Sequence, residues 1–193
     1  MKRLTALMLC LMLALCVLPA QALTLADPFT FDLDTFQSYY PQLIQKDVAW
    51  VNQNGWLVGS AEGLPDIQLS MNEAGQVDYM MVEMSCPISE ADEAVGAVFG
   101  TVISGAALGV LMCEVTDREA VNAGVEAFMT ELKTVISCLT DYDNATIEEK
   151  LAGLVSYGPL AGHEGAAGVQ VSEDGDGTVN LLFVFAPKGT HFE

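Results

Sequence analysis

The sequence predicts an α+β fold, in which an antiparallel sheet built from two similar hairpin units is covered by a central antiparallel helix pair and by shorter helices. Two observations indicate the sheet: apolar and polar residues alternate over 67–84, and again over 169–186. A third indicates the helices, because apolar residues recur at three-and-four spacing within 89–139.

The chain begins with the features of a bacterial-type export signal. Two basic residues precede an uncharged run over 4–18, which is short for a bilayer span, and a proline follows it. Small residues occupy the −3 and −1 positions before the bond after Ala22. We therefore expect residues 1–22 to be removed, leaving one secreted or cell-envelope domain over 23–193. An uncleaved amino-terminal anchor is the alternative.

The charge of the mature chain limits its partners. Removal of the signal leaves 26 acidic against 5 basic side chains, a net charge near −21. Such a surface repels nucleic acid and anionic lipid headgroups, and it favours solubility. We expect neither as a direct ligand, and instead expect an unknown extracellular protein or small molecule.

The first third of the mature chain alternates short elements. We expect a strand over 29–33, then a short helix that is capped by Asp34 and is kinked or ends early at Pro41. The Asn54-Gly55 pair favours a tight reversal between two strands. A second hairpin is expected around 72–75.

The middle third is predicted to be helical. Acidic residues after Ser89 favour a helix that runs to Met112, and a capping box at Thr116 begins a second helix. A third helix is expected from Thr146, and the chain ends in a hairpin over 169–186. The apolar stripe of the second helix consists of Val121, Val125, Phe128, Leu132, Val135 and Leu139.

The two hairpin regions, about 48–84 and 158–186, resemble each other at an offset of 102 residues. The offset aligns two glutamines, two serines and several valines. An internal duplication is the favoured explanation, with convergent hairpin chemistry as the alternative. The aligned pairs are Gln68 with Gln170, Ser70 with Ser172, Gly75 with Gly177, Val77 with Val179, and Val82 with Val184.

Residues 94–112 carry no charge and include glycines at four-residue spacing. The flank that follows is net acidic, whereas a stop-transfer segment favours Lys and Arg. We therefore expect a helix buried inside the protein. A single-pass membrane-associated protein that spans 94–112 is the alternative.

Three cysteines remain after removal of the signal. If the two long helices run antiparallel, Cys86 and Cys138 lie at one end of the pair and Cys113 at the other. Export to an oxidising compartment favours disulfides, so we predict a Cys86–Cys138 bridge and an unpaired, buried Cys113. Three reduced cysteines are the alternative.

Residues with catalytic or metal-binding chemistry are sparse. His163 and His191 stand in no recognisable motif, so we assign no catalytic residue and no cofactor. Glu173, Asp174 and Asp176 form a calcium candidate, although a hairpin turn also selects Asp and Gly.

Four aromatic residues are candidates for a binding surface, although such residues often belong to a core. We accordingly expect a non-catalytic binding or interaction protein, with a secreted hydrolase that uses a carboxylate pair as the alternative. The four residues are Tyr39, Tyr40, Trp50 and Trp56.

Overall fold

A computed structural model describes residues 27–90, 93–140, 155–156, 158–171 and 178–191. Everything below concerns these residues. The predicted export signal, the start of the predicted third helix and the three calcium-candidate carboxylates lie outside the described residues.

The first helix, α1, spans Leu33–Ile44. Its cap is Asp32 and not Asp34, because a carboxylate oxygen of Asp32 accepts hydrogen bonds from the backbone N–H and the hydroxyl of Thr35 at 2.8 and 2.6 Å. These bonds, the hydroxyl contact first, hold the pKa of Asp32 below its ordinary value. Helix α1 thus begins inside the stretch where a strand was expected.

Helix α1 also continues past Pro41, where we expected a kink or an early end. Phe36, Tyr40 and Ile44 are buried along one side of the helix on both sides of the proline. Burial of three large side chains outweighs the roughly 3 kcal/mol that an internal proline costs a helix. Local sequence chemistry was therefore overridden by packing.

Four strands follow, and the predicted Asn-Gly reversal is confirmed. Asn54 and Gly55 both have positive φ, 52° and 86°, as a two-residue turn of the primed type requires. The strands are β1 Ala49–Gln53, β2 Trp56–Ser60, β3 Ile67–Met71 and β4 Val77–Pro87.

The helical middle is less regular than the expected single helix over 89–112. A 3₁₀ turn at Ile88–Glu90 and a π-helical segment at Ala94–Phe99 precede helix α2, Gly100–Glu114. Helix α3 spans Arg118–Thr140, and Asp117 caps it by accepting the backbone N–H of Ala120 at 2.9 Å. The start of α3 is therefore within two residues of the predicted capping box.

Strands β5 Val155–Ser156, β6 Glu164–Val171 and β7 Thr178–Ala186 complete one antiparallel sheet. Its order is β1-β2-β3-β4-β7-β6-β5, so the two strand groups meet where β4 pairs with β7. The α+β fold class is confirmed.

The register of the second hairpin departs from a strict 102-residue offset. Gln68 lies opposite Met81, so the offset expects Gln170 opposite Phe183, yet Gln170 lies opposite Asn180. Two of the three residues of this difference come from the wider separation of the last pair, which is Val171 with Val179 against Met71 with Val77, and the third comes from the bulge between Ser70 and Met71. Strand β6 therefore pairs with β7 in a different register from that of β3 with β4.

Helix α2 lies in the core against α1. A methyl group added at Gly105 would collide with Ile44 and meet Tyr40 at 3.0 Å, and one at Gly109 would meet Phe36 at 2.8 Å. The two glycines therefore let the side chains of α1 rest on the backbone of α2. The sheet face that shares this core, here called the inner face, includes Leu57, Ile67, Leu69, Met80, Val82, Leu181, Phe183 and Phe185.

The segment Ala94–Glu114 is the one described helical stretch that is long and apolar enough to cross a membrane. By length and composition alone it would pass for a span. In this structure 61% of its apolar window is buried inside the protein.

Candidate functional site

A short polar contact joins the side chains of His163 and Glu114 at the end of α2. His163 Nε2 lies 2.7 Å from Glu114 Oε2, and the hydroxyl of Thr30 lies 3.5 Å from the other carboxylate oxygen. The imidazole packs beside the rings of Phe29 and Phe185, with centroids 5.1 and 5.5 Å away. A histidine paired with a carboxylate is the arrangement used in many catalytic centres, so its second nitrogen decides what it can do.

That second nitrogen, His163 Nδ1, is buried and has no hydrogen-bond partner. Glu114 accepts from Nε2–H, so Nδ1 is the nitrogen that would have to reach a substrate. It faces protein instead of solvent, so it has no access to a proton on a substrate. The pair therefore fastens the chain near His163 to the end of α2.

The segment around His163 is fastened at further points. Leu160 and His163 exchange backbone hydrogen bonds at 2.7 and 3.0 Å around a turn in which Ala161 and Gly162 have φ of 50° and 82°. Ala161 N–H donates to Glu131 of α3 at 2.8 Å. The glycine-rich stretch is therefore an anchored turn.

The cysteines offer weak nucleophiles here. Cys86 and Cys113 form no disulfide with another described side chain, and the side chain of Cys138 lies outside the described residues, so the Cys86–Cys138 bridge stays a prediction. Burial, with Asp32 and Glu114 adding to it, raises the pKa of Cys113 to about 11. Burial and then Glu90 raise the pKa of Cys86. Because the thiolate is the reactive form, both thiols are poorly reactive at neutral pH.

The four predicted aromatic residues do not form one surface. Tyr40 is 1% exposed, and burial followed by the charge of Asp66 raises its pKa. Trp50 packs against Gly59 and lies 5.8 Å from Tyr40, so both belong to the inner layer. Tyr39 is half-buried on α1.

Trp56 alone of the four lies on the opposite face of the sheet, here called the outer face. Its ring meets Tyr79 edge to face at 5.5 Å, and both rings are half-buried. Trp56 lies opposite Ser70 on β3, which lies opposite Tyr79 on β4. Burial raises the pKa of Tyr79, so its hydroxyl is a neutral hydrogen-bonding group.

Val51 lies on the same outer face, on the edge strand β1, because side chains alternate between the two faces along a strand. It is 50% exposed, the most exposed large apolar side chain among the described residues. Sequence reasoning missed Val51 and Tyr79. The two-residue alternation along a strand separates core-facing positions from outward-facing ones, but it does not show which outward-facing positions stay accessible.

Within the described ranges, no group of three or more His, Cys, Asp or Glu side chains is placed to hold a metal ion. The calcium candidate at Glu173, Asp174 and Asp176 falls outside those ranges and stays a prediction.

Comparisons with known proteins find no match to any family model, to any curated protein or to any solved structure. The function is therefore argued from the geometry alone.

Proposed function

We propose that the mature domain, 23–193, is a secreted, acidic, non-catalytic binding protein whose ligand contacts the outer face over β1 to β4. The observation that carries this proposal is the half-buried Trp56–Tyr79 pair on the same face as the exposed Val51. These side chains come from strands β1, β2 and β4, so the sheet holds them in fixed positions.

Rigid aromatic side chains are effective contact groups. They bury a large area and lose little conformational entropy on binding, and the tyrosine hydroxyl adds a polar contact. Exposed Val51 supplies apolar area on the same face. This combination is typical of ligand-contacting surfaces.

Export is the second part of the proposal, and the environment of Ala94–Glu114 supports it. Because this helical segment packs on α1 through Gly105 and Gly109, its apolar surface has a partner without lipid. Amino-terminal sequencing of the exported protein is expected to begin at residue 23. Retention of the protein in alkaline-washed membranes would instead support the span over 94–112.

We also propose that the sheet derives from two similar hairpin units covered by an antiparallel pair, α2 and α3. The pairing of β4 with β7 supports the duplication, because it joins the two hairpin units edge to edge at the centre of one sheet. Close packing of Leu111 on Gly124 supports the helix pair near its connection.

The binding proposal is tested with immobilised 23–193 protein on arrays of basic peptides, acidic peptides and glycans. We expect capture that Trp56→Ala reduces at least about tenfold, the scale of a central aromatic contact. Trp50→Phe is the matched control, because Trp50 belongs to the inner layer. Chemical turnover of an array compound, or capture unaffected by Trp56→Ala, contradicts the proposal.

A further inference from the structure

Strand β1 lies at one end of the sheet order, with β5 at the other end, and it pairs with β2 along its whole length. Ala49, Val51, Asn52 and Gln53 are exposed, and Trp50 is half-buried. Within the described residues, no strand pairs with the far edge of β1.

The hairpin geometry identifies which backbone groups face that open edge. In a two-residue hairpin the residues that flank the turn are hydrogen-bonded to each other, and bonded and non-bonded pairs then alternate. Gln53 pairs with Trp56 across the turn, so Trp50 and Asn52 belong to non-bonded pairs. Their N–H and C=O groups consequently point away from β2, and no turn or loop in the described structure binds them.

Edge strands in soluble proteins are usually protected by a charged residue, a proline or a bulge. Strand β1 contains no charged residue and no proline, and its register with β2 is regular, without a bulge. An unprotected edge of this kind accepts a further strand by main-chain hydrogen bonding.

The charge around the edge selects the partner. Residues 46–87, which hold β1 to β4 and the segment that leads into β1, contain six carboxylates and one basic residue, Lys46. The mature chain as a whole is strongly acidic. A second copy of the chain would bring the same negative charge, whereas a basic segment would be attracted.

We infer that β1 binds an extended, Lys- or Arg-rich peptide segment of a partner protein as an added antiparallel or parallel strand. The N–H and C=O groups of Trp50 and Asn52 form the ladder, and Val51 contacts side chains of the added strand on the outer face. This inference rests on the proposed binding function and specifies its partner.

The probe is a fluorescein-labelled nonapeptide in which Lys alternates with Val, titrated into 23–193 protein and followed by anisotropy. A peptide with Glu in place of Lys tests the charge, and one with three consecutive N-methylated central residues tests the main-chain bonds. We expect both controls to bind at least about tenfold more weakly than the basic peptide, and salt to weaken the basic peptide.

Two protein variants test the edge itself. Asn52→Pro removes an N–H that faces outward, and proline is tolerated at such edge positions, while Asn52→Thr keeps the N–H. We expect only the proline variant to lose about tenfold in affinity. Val51→Lys, which adds repulsive charge at an exposed site, is expected to weaken binding even if Asn52→Pro proves unfolded by circular dichroism.

Hydrogen exchange is the direct readout, with slower exchange expected at the amides of Trp50 and Asn52 on peptide addition. Equal binding of the N-methylated peptide, equal binding of the acidic peptide, or dimerisation of the chain through β1 in ultracentrifugation each overturns the inference. Trp56-dependent capture of a glycan or an acidic peptide on the arrays would leave the proposed function intact and remove only this inference.

Discussion

Helix α2 and strand β1 are both uncharged, apart from Glu114 at the end of the helix, yet they occupy opposite environments. Most of α2 is buried between other elements, whereas four of the five residues of β1 are exposed. Lack of charge therefore does not by itself predict burial. Whether a segment is buried depends on whether a neighbouring element packs against it.

The two segments differ in what their backbones leave open. In α2 the glycines at 105 and 109 lie one turn apart, and side chains of α1 rest on them. In β1 one backbone edge is satisfied by β2 and the other edge faces water.

The largest effect is expected at the contact between α1 and α2. In Gly105→Ala the new methyl group collides with Ile44 and presses on Tyr40, so the free energy of unfolding should fall by about 2–3 kcal/mol despite the better helix propensity of alanine. Chemical denaturation measures this. Gly96→Ala is the control, because no atom lies within 4 Å of the added carbon, and it should be neutral or slightly stabilising. Equal effects of the two substitutions would refute the close packing.

The anchored turn at the end of α2 should show the next largest effect. His163→Ala removes the hydrogen bond to Glu114 and the contacts with Phe29 and Phe185, and should cost about 2 kcal/mol. His163→Phe should recover at least half of that loss in denaturant titrations, because the aromatic packing is retained. A phenylalanine variant as unstable as the alanine variant would show that the polar contact dominates.

Cys113 near the end of α2 should react slowly. With its pKa raised to about 11, very little thiolate exists at pH 8, and Ellman's reagent should modify it at least about tenfold more slowly than in the urea-unfolded chain. Cys86, whose pKa is also raised, and Cys138 must both be replaced by Ser so that the signal from Cys113 can be resolved. Reaction at the unfolded rate would show that the thiol is accessible and ionised.

The same shift predicts a dependence of stability on alkaline pH. The folded state prefers the protonated Cys113 thiol, so this contribution is complete below pH 9, the ordinary pKa, and is lost as the pH rises towards about 11. The raised pKa values of Tyr40 and Tyr79 act with the same sign. Thermal melts from pH 8 to 11 should show a decline, which Cys113→Ala makes shallower.

The smallest effect is expected at Glu83 on the outer face, opposite Leu182. Burial raises the pKa of this carboxyl, so its charged form is disfavoured in the folded protein at neutral pH. Glu83→Gln should therefore raise the melting temperature slightly at pH 7, by on the order of 1–2 °C. The gain should vanish at pH 3, where Glu83 is protonated in both states, and a gain that persisted there would point to a different cause.

Much of the fold could be predicted because its signals are local. The Asn54-Gly55 turn, the alternation over Ile67–Met71 and the start of α3 follow from the preferences of neighbouring residues. The strand expected over 29–33 was wrong, and α1 does not end early at Pro41, because burial of Phe36 and Tyr40 along α1 outweighed the local preferences.

The candidate site could be predicted only in part. Trp56 was identified, but Tyr40 and Trp50 lie in the core, and Val51 and Tyr79 were missed. The sequence gives the two-residue alternation of a strand but does not state which face a helix covers. The role of His163 was likewise open until its partner Glu114, 49 residues away, was located.

By itself, the sequence determined the acidic charge, the sheet-forming hairpins and the uncharged helix, because these depend on composition and on near neighbours. Only the tertiary structure decided that β4 meets β7, that α1 covers the glycines of α2, and that β1 is left at the edge. These contacts join residues far apart in the chain. Their selection depends on the shapes that pack together, which no local pattern contains.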